Sequence, residues 1–148
     1  MSRHFALDTN CMIAAVCGWH DHYRAAAAEI ERRLVAGEQL TVAAHALTES
    51  YSVLTRFPAP HRLAPGDAWQ LLRDNFSAPG TVVTLTARQH AALLARLAHE
   101  GVSGGRTYDA LIAACAVRAG AGALLTFNPR HFEPAPQGLS IVVPTLNR

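Results

Sequence analysis

The stretch His4-Phe5-Ala6-Leu7-Asp8-Thr9-Asn10 places a short apolar run directly before an acid, a hydroxyl and an amide. Residues 4–7 read as a buried strand, and Asp8 ends it. Taken alone, Asp8 also reads as a helix N-cap, because aspartate is a favoured capping residue.

Outward from that strand, short apolar runs alternate with helical patterns. A helix is predicted over 21–35, with Tyr23, Ala27, Ile30 and Leu34 as its apolar stripe. A strand follows at 40–43, then a helix over 45–56 with Leu47, Tyr51 and Leu54 on one face. Three prolines between 57 and 66 end that helix. A further helix is predicted over 65–76, facing inward through Ala68, Leu71 and Leu72. After the Pro79-Gly80 turn comes a strand at 81–85, then a helix capped by Thr86 and reaching about Glu100. The glycine-rich stretch 101–106 reads as a loop, and Thr107 as the cap of a densely apolar helix over 108–119. Gly120 and Gly122 stop that helix, and strands at 123–127 and 139–143 complete the pattern. Strands separated by helices imply βαβ units and a mainly parallel sheet of about five strands. Ligands bind such sheets outside the carboxyl ends of the strands. Asp8 and Asn128 fall at two such ends.

Composition narrows the function classes. The 148 residues, half of them hydrophobic and 16% charged, suit a single domain spanning 1–148 with one real core. The formal net charge of +2 permits nucleic-acid binding without requiring it. All thirteen basic residues are arginine, which fits a GC-rich codon bias and also suits bidentate phosphate contacts. Cys11, Cys17 and Cys115 form neither a C-x-x-C pair nor an even set, so no disulfide framework or zinc site is indicated. No secretion signal or membrane-spanning run is read, and a cytoplasmic location is expected.

Most of the eleven acids, including Glu29, read as solvated helix-face charges. Asp8, Glu49 and Asp109 do not. Each has a structural alternative: a cap for Asp8, a helix-dipole partner for Asp109, a surface salt bridge for Glu49. Together they point elsewhere. Carboxylates gathered in a half-buried cleft repel one another, and a hard cation such as Mg²⁺ or Mn²⁺ relieves that conflict through oxygen ligands. Such a cluster suits phosphodiester hydrolysis, in which the metal activates water and offsets transition-state charge.

The ordered motifs then resemble a known family. Asp8-Thr9-Asn10, Thr48-Glu49-Ser50, Tyr108-Asp109-Ala110-Leu111-Ile112-Ala113 and Thr126-Phe127-Asn128-Pro129-Arg130-His131-Phe132 resemble the four motifs of PIN-domain nucleases, in order and across nearly the whole chain. The small size is similar to the VapC toxins of bacterial toxin–antitoxin pairs. The resemblance implies a three-layer α/β/α sandwich and Mg²⁺- or Mn²⁺-dependent endoribonuclease cleavage that leaves 5′-phosphate and 3′-hydroxyl ends. It also implies a small antitoxin whose C-terminal segment lies over the active-site groove, and homodimerisation. Asp8, Glu49 and Asp109 would be the catalytic and metal-binding acids. Asn128 stands where the family commonly carries an aspartate, so it would serve as an auxiliary ligand and the second of two metals would be weakened.

The remaining candidates are weaker. Thr126 could orient Asp109 or a metal-bound water, or simply pack in the sheet. Arg106 and Arg130 are candidate phosphate contacts beside the cleft. His20 and His22 read as surface histidines rather than zinc ligands. Trp19, Tyr23 and Trp69 could stack on bases, although core packing or contact with a partner is the preferred reading. Two other functions stay open: a non-catalytic RNA- or partner-binding module with a decayed site, and a phosphatase or DNA nuclease using the same acids.

Overall fold

The computed structural model describes residues 3–146. β1 (His4–Leu7) leads into α1 (Thr9–Val16), and α2 (Tyr23–Val35) follows a short loop. β2 (Gln39–Ala43) runs directly into α3 (Ala44–Arg56). α4 (Pro65–Leu72) widens into a π-helical turn over Arg73–Ser77, closed by the Ala78 N–H donating to the Arg73 carbonyl. Then come β3 (Thr81–Val83), α5 (Ala87–Glu100), α6 (Arg106–Arg118), β4 (Ala123–Leu125), a 3₁₀ turn over Pro129–Phe132 and β5 (Ser140–Val142).

All five strands are parallel, in the order β3-β2-β1-β4-β5. β1 is central: Phe5 pairs with Leu40 on one side and Ala123 on the other. The chain lays β2 and β3 on one side of β1, then returns to lay β4 and β5 on the other. Right-handed crossovers in opposite directions put α1–α4 on one face and α5 and α6 on the other, the three-layer α/β/α arrangement. The direction reverses between β1 and β4, which makes their carboxyl ends the topological switch point.

Burial follows from strands covered on both faces. Phe5, Leu7, Val42, Leu124 and Leu125 are fully enclosed, with Met12, Leu54, Leu72 and Phe76 packed over them. Each such side chain contributes about 1.5–3 kcal/mol. Gly80 has no room for a side chain, since a Cβ there would lie 2.7 Å from the Phe76 carbonyl oxygen. Among the described residues no helix is long and apolar enough to cross a membrane.

Several local expectations change. The sequence pattern predicts no helix over 9–16, yet α1 is one, and it is enclosed on most sides: Thr9, Cys11, Met12, Ile13 and Ala14 are all buried. A helix buried all round shows no amphipathic stripe. α2 begins at Tyr23 rather than Asp21, and its buried face is Ala26, Glu29 and Arg33, while Leu34 is 44% exposed. In α3 the inner face is Ala46, Ser50 and Leu54, and Tyr51 points out. Thr86 caps α5 as expected, reciprocated by the Gln89 side chain. Thr107 does not cap α6, because the helix already begins at Arg106, one residue beyond Gly105. β3, β4 and β5 are shorter than the apolar runs that announced them.

Candidate active site

Asp8 follows the last residue of β1, and its backbone N–H still donates to the Leu125 carbonyl at 2.9 Å. Its carboxylate is therefore held at the switch point. One oxygen accepts from the Thr9 N–H at 2.8 Å, which caps α1. The other accepts from the Thr126 hydroxyl at 2.8 Å. Capping and function were competing readings of Asp8, yet the geometry gives it a capping role that leaves each oxygen a free lone pair.

Thr126 is wholly buried at the end of β4. Its hydroxyl donates to Asp8 and accepts the Asn128 N–H at 2.9 Å. It thus orients Asp8, not Asp109, and it acts through Asp8 because its own side chain is closed off from ligands. Asn10, absent from the sequence-derived site, completes the arrangement. Its amide oxygen accepts the Phe127 N–H at 3.2 Å, and its amide nitrogen donates to Thr126 at 3.4 Å. Asn10 lies in the opening motif, but its partners are over a hundred positions away and only the adjacency of β1 and β4 reveals them.

Asp109 sits in the first turn of α6, where the helix dipole favours an anion. His131 Nδ1 lies 3.5 Å and Arg106 Nε 3.9 Å from its carboxylate. Arg106 also donates to the carbonyls of Arg130 and His131, at 3.3 and 3.1 Å. Arg106 therefore ties α6 to the 3₁₀ turn, and half of its side chain faces solvent. Arg130 and Asn128 are exposed beside it. Glu49 is half-buried on α3, one turn after His45. The His45 ring stacks on Tyr108 with centroids 4.7 Å apart and planes 2° apart. Tyr108 precedes Asp109, so this stack fixes α3 against α6 and with it the spacing of the two acids.

The three carboxylates share one electrostatic field. Burial pushes the Asp8 carboxyl up to about 6 from 3.8, with Asp109 and Glu49 adding to the rise against the Thr126 and Thr9 hydrogen bonds. Burial also raises Asp109, and Glu49 adds to it, while His131 and Arg106 oppose it. Among the described residues no cationic side chain pairs with Asp8. A divalent cation would supply the missing charge, and the donors present are the oxygens that Mg²⁺ or Mn²⁺ selects. Among the described residues no three acid, histidine or cysteine side chains stand close enough together to hold an ion between them. Mg²⁺ does not need three: it keeps several waters and binds through one or two carboxylates. The residues present fit such an ion.

A groove of about 1190 Å³ runs between α5, α6 and residues 131–136, and Arg106, Asp109 and His131 line it. Asp8 and Glu49 lie outside that lining, so the groove adjoins the acidic cluster through Asp109 alone.

The PIN domain family model matches residues 5–135, which spans every residue of this site. Ribonuclease VapC40 of Mycobacterium tuberculosis is 41% identical over 128 residues, covering 86% of this chain and 89% of that protein. Ribonuclease VapC27 of the same species is 39% identical over 116 residues, covering 78% and 79%. Among solved structures, the DNA-bound VapBC of Salmonella typhimurium superposes with a TM-score of 0.65 at 25% identity, covering 97% of this chain and 98% of that one. The parallel sheet, the acids at its switch point and these likenesses agree: the chain belongs to the PIN-domain family and, within it, to the VapC proteins.

Proposed function

We propose that this protein is a metal-dependent endoribonuclease, the toxin of a toxin–antitoxin pair, which hydrolyses RNA phosphodiesters to 5′-phosphate and 3′-hydroxyl ends. The observation that carries the reading is Asp8: a buried carboxylate at the switch point, facing Asp109 and Glu49, with no cationic side chain paired with it among the described residues. The relatives named as ribonucleases support the substrate class. Asp8 and Asp109 are the principal ligands, Glu49 completes the ion's surroundings or positions water, and exposed Asn128 is an auxiliary oxygen donor. A bound Mg²⁺ or Mn²⁺ would supply activation of the attacking water and stabilisation of phosphoryl charge.

The chain's own residues do the rest. Thr126 and the Thr9 N–H hold the Asp8 carboxylate in one orientation. Arg106 keeps the 3₁₀ turn against Asp109, and Arg130 offers a guanidinium to a phosphate at the rim. The partners proposed are RNA, a small antitoxin that covers the site, and a second copy of the chain. The solved VapBC complex supports the antitoxin. The location proposed for the pair is the cytoplasm, where its RNA substrate is found.

The direct test is cleavage of unstructured RNA by purified protein. Cleavage is expected in millimolar Mg²⁺ or Mn²⁺ and none in excess EDTA, with return on adding back metal. Undiminished cleavage in EDTA would overturn the metal. RNA binding without cleavage at any Mg²⁺ or Mn²⁺ concentration would replace the nuclease with a binding module.

A further inference from the structure

A row of five rings crosses the surface from the α3–α4 loop, over the α1–α2 loop, to the residue that follows Thr126. His61 stacks on Trp19, with centroids 3.9 Å apart and planes 21° apart. Trp19 meets His20 at 5.9 Å, and His20 meets His22 at 5.8 Å. His22 in turn stacks on Phe127 at 4.3 Å, with planes 16° apart. Phe127 lies between Thr126, which holds Asp8, and Asn128. Its N–H is anchored by Asn10, so the end of the row is fixed relative to the acids.

Phe127 rests against the core, as does Phe57, which meets Trp19 edge-on at 5.2 Å, but core packing does not account for the exposed rings of the row. Trp19 is 46% exposed and His22 is exposed, so both rings forgo the burial that normally places an aromatic side chain. Zinc does not account for it either: His20 and His22 gain no third ligand among the described residues. The pair is instead shaped by its backbone, since His20 Nδ1 accepts the His22 N–H at 3.0 Å and turns the two rings toward one another. Phe127 stacks on the His22 ring, and His22 nevertheless remains exposed.

Flat rings in series, partly exposed and leading to a phosphodiester-cleaving centre, match the way proteins hold single-stranded nucleic acid. Stacking on such rings is strong and tolerates any base, because every base has a π-face. We propose that the row Trp19–His20–His22–Phe127 is a subsite for unpaired nucleobases of the RNA strand next to the scissile phosphate. This rests on the ribonuclease reading above and adds to it where the strand runs: along the α1–α2 loop.

Trp19 reports on the site directly. Trp69 is the only other tryptophan, so Trp69→Phe leaves Trp19 as the sole emitter. In a Trp69→Phe, Asp8→Asn protein, titration with a short unstructured oligoribonucleotide is expected to quench Trp19 emission saturably. In the cleaving protein, Trp19→Ala and His22→Ala are each expected to raise KM about tenfold, with a much smaller change in kcat. On a dinucleotide too short to reach the row, that KM difference should vanish. His22 is exposed, so His22→Ala keeps the test readable even where Trp19→Ala lowers the melting temperature. Cleavage by the parent with unquenched Trp19 and unchanged KM overturns the subsite and leaves the nuclease standing. No RNA cleavage by the parent overturns both. Loss of antitoxin affinity in the variants, with KM for RNA unchanged, assigns the rings to the protein partner and also overturns the proposal.

Discussion

Among the described residues two carboxylates lie deep, and they are treated in opposite ways. Glu29 on α2 is 2% exposed, and Arg32 and Arg33 bind it at 2.9 Å each, with Arg33 continuing to Glu38 at 2.8 Å. Arg33 also lies over the Phe5 ring, 5.8 Å from its centroid. Asp8 at the end of β1 is 5% exposed and, among the described residues, is held by a hydroxyl and a backbone N–H with no cation, facing two more acids. The first site has its counter-charge built in and fastens α2 to the β2 side of the sheet. The second lacks it, and desolvating a charge without a partner is costly. An acid buried without a protein cation implies that another cation is expected there, so the contrast separates structural burial from functional burial.

The contrast breaks most sharply at Asp8. Asp8→Asn should reduce RNA cleavage by about a thousandfold or more, roughly 4 kcal/mol in the barrier. The same change should leave the metal-free protein as stable as the parent or more so. The pH dependence follows from the sign of the shift. The folded carboxyl is raised to about 6 from 3.8, so the stability it contributes is full below pH 3.8 and is lost as pH rises through 6. Thermal melts of the metal-free parent should therefore decline across that window, and those of Asp8→Asn should decline less. A variant that cleaves like the parent, or that melts far below it, would place Asp8 with Glu29 as a structural acid.

Glu29→Ala should do the reverse. It leaves Arg33 buried with only Glu38, and losing one partner of a buried pair costs about 3–5 kcal/mol, here at the low end because Glu38 remains. Urea unfolding should show that loss, whereas kcat of the folded fraction should stay near the parent value. A stability unchanged in Glu29→Ala would remove the counter-charge argument from both sites.

The same pair of acids shows what is legible in a sequence. β1 and β2 are found to within a residue, because a short apolar run bounded by polar residues has few alternatives. Asp8 and Asp109 stand out because each adjoins an apolar segment at a strand end or helix start, and Glu49 because it flanks the apolar face of a helix; the structure brings the three into one electrostatic field. Glu29 is misread as solvated. Its arginines stand three and four residues on, a spacing that also describes a surface pair, and the apolar Leu34 suggests a stripe rotated away from the real one. Asn10, Thr126 and Phe127 are missed as a unit, or given the wrong partner, for a different reason. Their contacts span some 117 positions and exist only because β4 returns beside β1. Strand order is a tertiary property, and no local pattern encodes it.

The finest test of the contrast concerns the neutral donors that hold Asp8 in place of cations. Thr126→Val keeps the volume and removes the hydroxyl. Asp8 then loses one of its two hydrogen bonds, and the Asn128 N–H loses its acceptor. Unfolding should register about 1–3 kcal/mol. Packing alone would end there, but an orienting role predicts more. The Thr126 hydrogen bond lowers the Asp8 pKa against burial, so its removal raises that pKa further. A larger fraction of Asp8 is then protonated near neutral pH, and cleavage should fall more at pH 6 than at pH 8, shifting the rate profile to higher pH. Thr126→Ser restores the hydroxyl without the methyl, so it should restore the profile even if some stability stays lost. A valine variant with the parent's pH profile would reduce Thr126 to packing and leave Asp8 oriented by the Thr9 N–H alone.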